Sequence, residues 1–236
     1  VKDIQPGGNG SFATEPVFIN NLLYFKAYDA TYGTELWRSD GTASGTYMLK
    51  DVRTGDTDPS TAADDMRGMI AVNGTLYFTA LGPGLEWWLW KSNGTASGTV
   101  RVSLIPAPGY MLNGNDKLFF VAWDGTYGLW RSEGTAESTF KVRSFGDGCC
   151  ISSQFDYLSV NNIFYFTFQD TNLWRSDGTV CGTYELSQVG GNPFPIEASG
   201  NDILFGMNLE DIGRELFKFN ISGQAPCSAT AMKNSM

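Results

Sequence analysis

The chain has 236 residues, 42% hydrophobic, 14% aromatic and 17% charged, with 28 glycines and a formal net charge of −9. That length and apolar content suit one large all-β domain or two small ones, and the glycines suit many tight turns. The negative balance argues against nucleic acid, whose binding rests on Lys and Arg neutralising phosphates, and no apolar run approaches the roughly 20 residues of a membrane span.

Taken in chain order, residues 1–7 read VKDIQPG and match LKDVRTG at 49–55, the end of the first full unit. That unit divides into strands at 16–19, 22–29, 35–40 and 46–52, aromatic and β-branched runs separated by Gly, Asn and Asp turns. The plan repeats at 69–73, 75–81, 86–93 and 99–105, then at 109–113, 117–124, 129–133 and 139–145, and again at 156–160, 163–170, 172–177 and 183–189. A last unit has strands at 195–199, 202–208 and 214–220 and stops one strand short.

The third strand of each unit opens a recurrent phrase: LWRSDGTASGT at 36–46, LWKSNGTASGT at 89–99, LWRSEGTAEST at 129–139 and LWRSDGTVCGT at 173–183, with an eroded ELFKFN at 215–220. A period of about 40–50 residues with strand patterning inside each unit is the signature of propeller blades. The expected fold is therefore a five-bladed β-propeller with four antiparallel strands per blade. Its blades are 16–55, 69–105, 109–145, 156–189 and 195–220, forming one domain over 1–220, with 221–236 a C-terminal tail. Residues 1–7 are expected to supply the last strand of blade five and so close the ring, removing a loose blade edge.

Phe25, Phe78, Phe120, Phe166 and Phe205 recur in the second strands, and Trp37, Trp90, Trp130 and Trp174, with Phe217, in the third. Large aromatics at one place in every blade fill the wedge between neighbouring sheets; a row of ligand-binding tryptophans would read the same way. The SDGT phrase reads as a turn in which Gly supplies positive φ and Ser, Asp and Thr bond the local backbone.

The stretch LYFKAYDATYGTELWRSDGTASGTYMLKDV resembles the repeat named for its ELWxxDGT signature, and the resemblance runs through nearly the whole chain, fading in the last unit. It implies a propeller-type repeat in a secreted or surface protein and no particular activity. The third and fourth copies lack the Glu before Leu-Trp, and Glu133 replaces Asp in the third.

Loops joining the second and third strands gather on one rim, where function concentrates in scaffold folds. Here Asp29 accompanies Tyr32, Glu86 accompanies Trp87, and Asp124 accompanies Trp123 and Tyr127. An aromatic face beside a carboxylate suits a sugar, whose apolar face stacks while its hydroxyls bond the acid. The same residues also suit capped blade ends and turns. A calcium site at Asp29 and Glu35 is disfavoured, since calcium wants six to eight oxygens; no metal and no cofactor is expected.

Cys181 in the turn of the fourth copy and Cys227 after the last strand fall on one rim, and a Cys181–Cys227 disulfide is expected. Cys149 and Cys150 are left to a vicinal or an intermolecular bond. Sequons at Asn9, Asn73, Asn93 and Asn220 permit glycosylation in a secretory pathway, and with the cysteines favour an extracellular setting. The expected function is a non-catalytic, lectin-like module binding glycans or glycoproteins multivalently, without nucleic acid or membrane insertion and with association of copies allowed. The alternatives are a structural or adhesive component of an extracellular assembly, and a polysaccharide hydrolase using Glu15, Asp64, Asp65 or Asp156.

Overall fold

The computed structural model describes residues 2–8, 10–52, 66–82, 86–104, 108–146, 157–168, 172–188, 193–209 and 213–221. These are all-β, with no helix among them. They fall into two compact units: Val1–Asp124 with Trp130–Phe140, and Gly125–Leu129 with Lys141–Met236.

In the first unit, one sheet has the order β1 (Thr14–Ile19), β2 (Leu22–Asp29), β3 (Gly33–Ser39), β4 (Tyr47–Lys50). The next has β5 (Met66–Val72), β6 (Thr75–Leu81), β7 (Trp87–Ser92), β8 (Val100–Leu104). The third sheet comprises β9 (Pro108–Gly114), β10 (Lys117–Trp123), β11 (Tyr127–Ser132) and β12 (Phe140–Gly146), and the unit boundary runs through it. The second unit holds β13 (Tyr157–Val160), β14 (Ile163–Phe168), β15 (Asn172–Ser176), β16 (Tyr184–Gln188), and a three-stranded sheet of β17 (Pro193–Ser199), β18 (Asp202–Leu209), β19 (Gly213–Asn220). Every sheet is a meander of sequence neighbours.

Turn chemistry explains the hairpins. Both central residues of the first hairpin in each of four sheets have positive φ: Asn20 and Asn21, Asn73 and Gly74, Asn115 and Asp116, Asn161 and Asn162. That is the two-residue turn whose twist matches paired strands, and Asn, Asp and Gly tolerate it best.

The repeated aromatics are core. Phe78 stacks on Trp90 at 5.9 Å and Phe120 on Trp130 at 6.1 Å in the first unit, and Phe166 on Trp174 at 6.3 Å in the second. Tyr24, Leu36 and Leu49 of the first sheet cluster with Leu76, Phe78 and Trp90 of the second, and Tyr77 and Leu89 of the second cluster with Leu118 and Phe120 of the third. A buried Phe contributes about 1.5–3 kcal/mol, so packing alone accounts for an aromatic at each of these places.

The opening segment departs from expectation. Residues 2–8 form no strand, and the β17–β19 sheet has three strands, not four. The segment instead lies on the first sheet: Ile4 packs on Phe25 and Trp37, the Lys2 ammonium stands 5.7 Å from the Trp37 ring, and Gln5 Oε1 accepts the Ala30 N–H at 2.9 Å. Sequence alignment gives the reason. Ile4 matches Val52, which packs in the Phe78 and Trp90 cluster, and Phe145, which meets Trp174 edge-on at 5.1 Å; Lys2 matches Arg143, 5.5 Å from the Trp174 ring. The segment thus covers the first sheet as the tail of a fourth strand covers the sheet after it.

Candidate functional site

Hydrogen bonds inside each SDGT turn commit its polar groups. Ser39 and Thr46 hydroxyls bond at 2.6 Å, Asp40 Oδ1 accepts the Thr42 N–H and hydroxyl at 2.9 and 2.7 Å, and the Gly45 N–H donates to Thr42 Oγ1. Asn93 and Asp177 play the Asp40 part for Thr95 and Thr179. The two Thr42 bonds, foremost the one from its hydroxyl, hold the Asp40 carboxyl below its ordinary value.

These turns also interlock successive sheets. Arg38 Nη1 donates to the Gly94 carbonyl at 2.7 Å. A Cβ on Gly94 would meet the Tyr24 hydroxyl at 2.3 Å, and one on Gly134 the Tyr77 hydroxyl at 2.6 Å. Burial raises both phenols above their usual value.

Of the seven residues expected to bind, the structure leaves two aromatics well exposed. In the first loop Asp29 Oδ1 accepts the N–H of Thr31 and Tyr32 at 2.7 and 3.2 Å, so this acid shapes the turn while the Tyr32 ring stays 44% exposed. In the second sheet Glu86 Oε1 accepts the indole N–H of Trp88 at 3.1 Å, and the Arg67 guanidinium lies 3.9 Å from the Trp87 ring centroid. Glu86 therefore pairs with Trp88, not with Trp87, whose ring faces a protein cation. Trp88 holds the place of the repeat's Glu before Leu-Trp, a departure visible in the sequence. In the third sheet Trp123 is 45% exposed and Asp124 is exposed beside it, whereas Tyr127 is half-buried and belongs to the other unit. Residues 169–171 and 210–212, the corresponding loops of the last two sheets, lie outside the described residues.

The remaining expectations resolve as follows. Glu35 is buried and its Oε2 accepts the Val52 N–H at 2.7 Å, so it anchors the exit of β4. Among the described residues no three His, Cys, Asp or Glu converge as for a metal. Glu15, at a left-handed φ of 51° beside a bulge, ion-pairs with buried Lys26 at 2.7 Å, and Lys26 Nζ donates to the Met66 carbonyl at 3.1 Å. Asp64, Asp65 and Asp156 lie outside the described residues. Cys181 is disulfide-bonded; Cys149, Cys150 and Cys227, and with them the expected pairing, lie outside. So does Asn9, while Asn73 and Asn93 are exposed turn residues and Asn220 Nδ2 donates to Asp202 Oδ1 at 2.6 Å.

No protein-family model matches the sequence, and no curated protein matches it. Solved structures do match. The chain is similar to an acylaminoacyl peptidase from Pyrococcus horikoshii (TM-score 0.55, 9% identity, over 88% of this chain and 38% of that one). It is also similar to the β-propeller domain of the Trilobed protease from Pyrococcus furiosus (TM-score 0.51, 11% identity, 89% and 69%). A third is prolyl oligopeptidase B from Galerina marginata (TM-score 0.54, 11% identity, 89% and 35%). The chain spans little more than a third of the length of the first and third, and at these identities the likeness speaks to a propeller-type fold alone.

Proposed function

We propose that this chain is a non-catalytic, extracellular, lectin-like module built on a five-bladed propeller of the ELWxxDGT repeat type, binding glycans or glycoproteins through its β2–β3 and β10–β11 loops. The observation that carries the reading is the pair of half-exposed aromatics, Tyr32 and Trp123, standing at equivalent loops of two sheets with Asp29 and Asp124 beside them. Asp29 spends one oxygen on the turn, which fixes the backbone that carries Tyr32. A rigid aromatic on a pinned turn is a low-entropy platform for the apolar face of a sugar, and repetition over sheets raises avidity without stronger single sites. The Cys181 disulfide favours an oxidising compartment. Of the hydrolytic acids, the one described is held by Lys26, which supports binding over catalysis.

A glycan array with the intact chain tests this. Binding to at least one glycan class is expected, weakened about tenfold or more by Tyr32→Ala or Trp123→Ala; an array without hits on folded protein overturns it. The structural or adhesive reading draws on a different observation, the exposure of Leu216 on β19.

A further inference from the structure

Within the first unit, the first sheet meets the second and the second meets the third at matching turns, but the two joints are filled differently. At the first joint a Cβ on Gly94 would find the Tyr24 hydroxyl at 2.3 Å and Leu22 Cδ1 at 3.6 Å, and Arg38 Nη1 donates to the Gly94 carbonyl. At the second joint Thr75 holds the place of Leu22, and Lys91 that of Arg38. The atoms nearest a Cβ on Gly134 are the Tyr77 hydroxyl and Lys91 Cδ and Nζ. On the facing turn Asp116 replaces Gly74. Beside these residues lies a cavity of ≈ 420 Å³ whose walls include Asn73, Thr75, Tyr77, Asp116, Lys117 and Glu133, all of the first unit.

The lining is chemically mixed. Asp116 and Glu133 accept hydrogen bonds, Lys117 donates, and Asn73, Thr75 and Tyr77 do both. Tyr77 is 6% exposed, yet its hydroxyl has no hydrogen-bond partner among the described residues. Burial, and after it the Glu133 charge, raises this phenol above its usual value, so it stays protonated and able to donate. A largely buried hydroxyl without a partner is destabilising, and a ligand that bonds it relieves this. Acids and an ammonium in one small space disfavour a lone anion or cation. A ring bearing several hydroxyls, each donor and acceptor at once, can meet both kinds of group. We propose that this cavity binds a single neutral sugar residue. Its volume falls in the range of about 300–1,000 Å³ typical of small-molecule sites. The ligand class rests on the glycan-binding reading above, but the cavity includes neither Tyr32 nor Trp123.

The test uses the full chain carrying Tyr32→Ala and Trp123→Ala, which removes the loop site, so that what binds reports on the cavity. Glucose, galactose, mannose, fucose and N-acetylglucosamine are titrated singly and followed by saturation-transfer NMR. At least one is expected to bind. Adding Thr75→Leu or Asp116→Gly is expected to weaken that binding about tenfold or more, through the hydrogen bonds and space each removes. Both changes install the residue that the first joint already carries, and Asp116→Gly also suits the φ of 60° there, so both variants are expected to fold, as circular dichroism checks. No binding by any of the five sugars overturns the proposal, as does binding indifferent to both changes. The loop site is judged separately, by glycan-array binding of the chain with and without Tyr32 and Trp123, so either site can fail alone.

Discussion

Three of the four SDGT turns hold a short polar side chain against a glycine, and the third does not. A Cβ on Gly45, Gly98 or Gly182 would fall 1.9–2.0 Å from the side-chain oxygen of Asp40, Asn93 or Asp177, so the acid or amide occupies the space a β-carbon would need. In the third copy the place of that glycine is taken by Ser138, and the place of Asp by Glu133. The longer carboxylate turns away to Arg131, and Ser138 Oγ accepts the Thr135 N–H at 3.1 Å, the bond that Asp40 Oδ1 makes to Thr42 at 2.9 Å. One hydrogen bond is kept by two incompatible side-chain sets. The turn's backbone is what the repeat conserves from copy to copy, and its side chains must change in pairs.

The largest effect is expected where the comparison is made between turns whose surroundings differ. Gly94→Ala combines a φ of +87° with a clash on the Tyr24 hydroxyl, and should cost about 3 kcal/mol. Gly41→Ala, with φ of +92° and open space, should cost about 1–2 kcal/mol. Urea unfolding followed by tryptophan fluorescence separates the two; equal costs would break the view that neighbouring sheets lock through Gly94.

Next in size is the pairing rule itself. Gly45→Ser alone should destabilise by about 2 kcal/mol, since the new Cβ meets the Asp40 carboxylate. Adding Asp40→Glu recreates the third-copy arrangement and should recover about 1 kcal/mol or more, a coupling seen in a double-mutant cycle. Strictly additive costs would sink it.

The smallest effect concerns charge. The Asp40 carboxyl is held below its ordinary 3.8 by its bonds from Thr42, so its stabilising contribution is present above that value and is lost as pH falls through the lower folded one. Asn93 makes the same bonds without titrating. Asp40→Asn should therefore leave stability near pH 7 almost unchanged and flatten its decline below about pH 4, measured as unfolding midpoints at the two ends.

Most of the strands were legible because aromatic alternation and Asn or Gly turns act locally; residues 22–29, 75–81 and 202–208 were expected as strands and are β2, β6 and all but the last residue of β18. The Glu133 and Ser138 pairing was also written in the sequence, as the one copy that departs at both positions. The candidate site was less legible. That Asp29 serves its own turn was one of the two readings the sequence left open; that Arg67 would cover Trp87 and that Glu86 would reach Trp88 depend on side-chain directions that spacing does not carry. The opening segment was expected to be the last strand of the fifth blade; it forms no strand and lies on the first sheet. There Ile4 packs against Phe25 and Trp37, contacts between distant residues that a local repeat pattern does not carry.

Ile4 and Val52 show that a repeat's covalent boundary and its packing boundary are offset. A fragment of such an array begun at Met66 would bare Phe78 and Trp90, while one begun at Leu49 would carry its own cover for them. Excised or shuffled units of this kind should be cut ahead of the tail that seals the following sheet, just as solenoid repeats need a terminal cap to remain soluble.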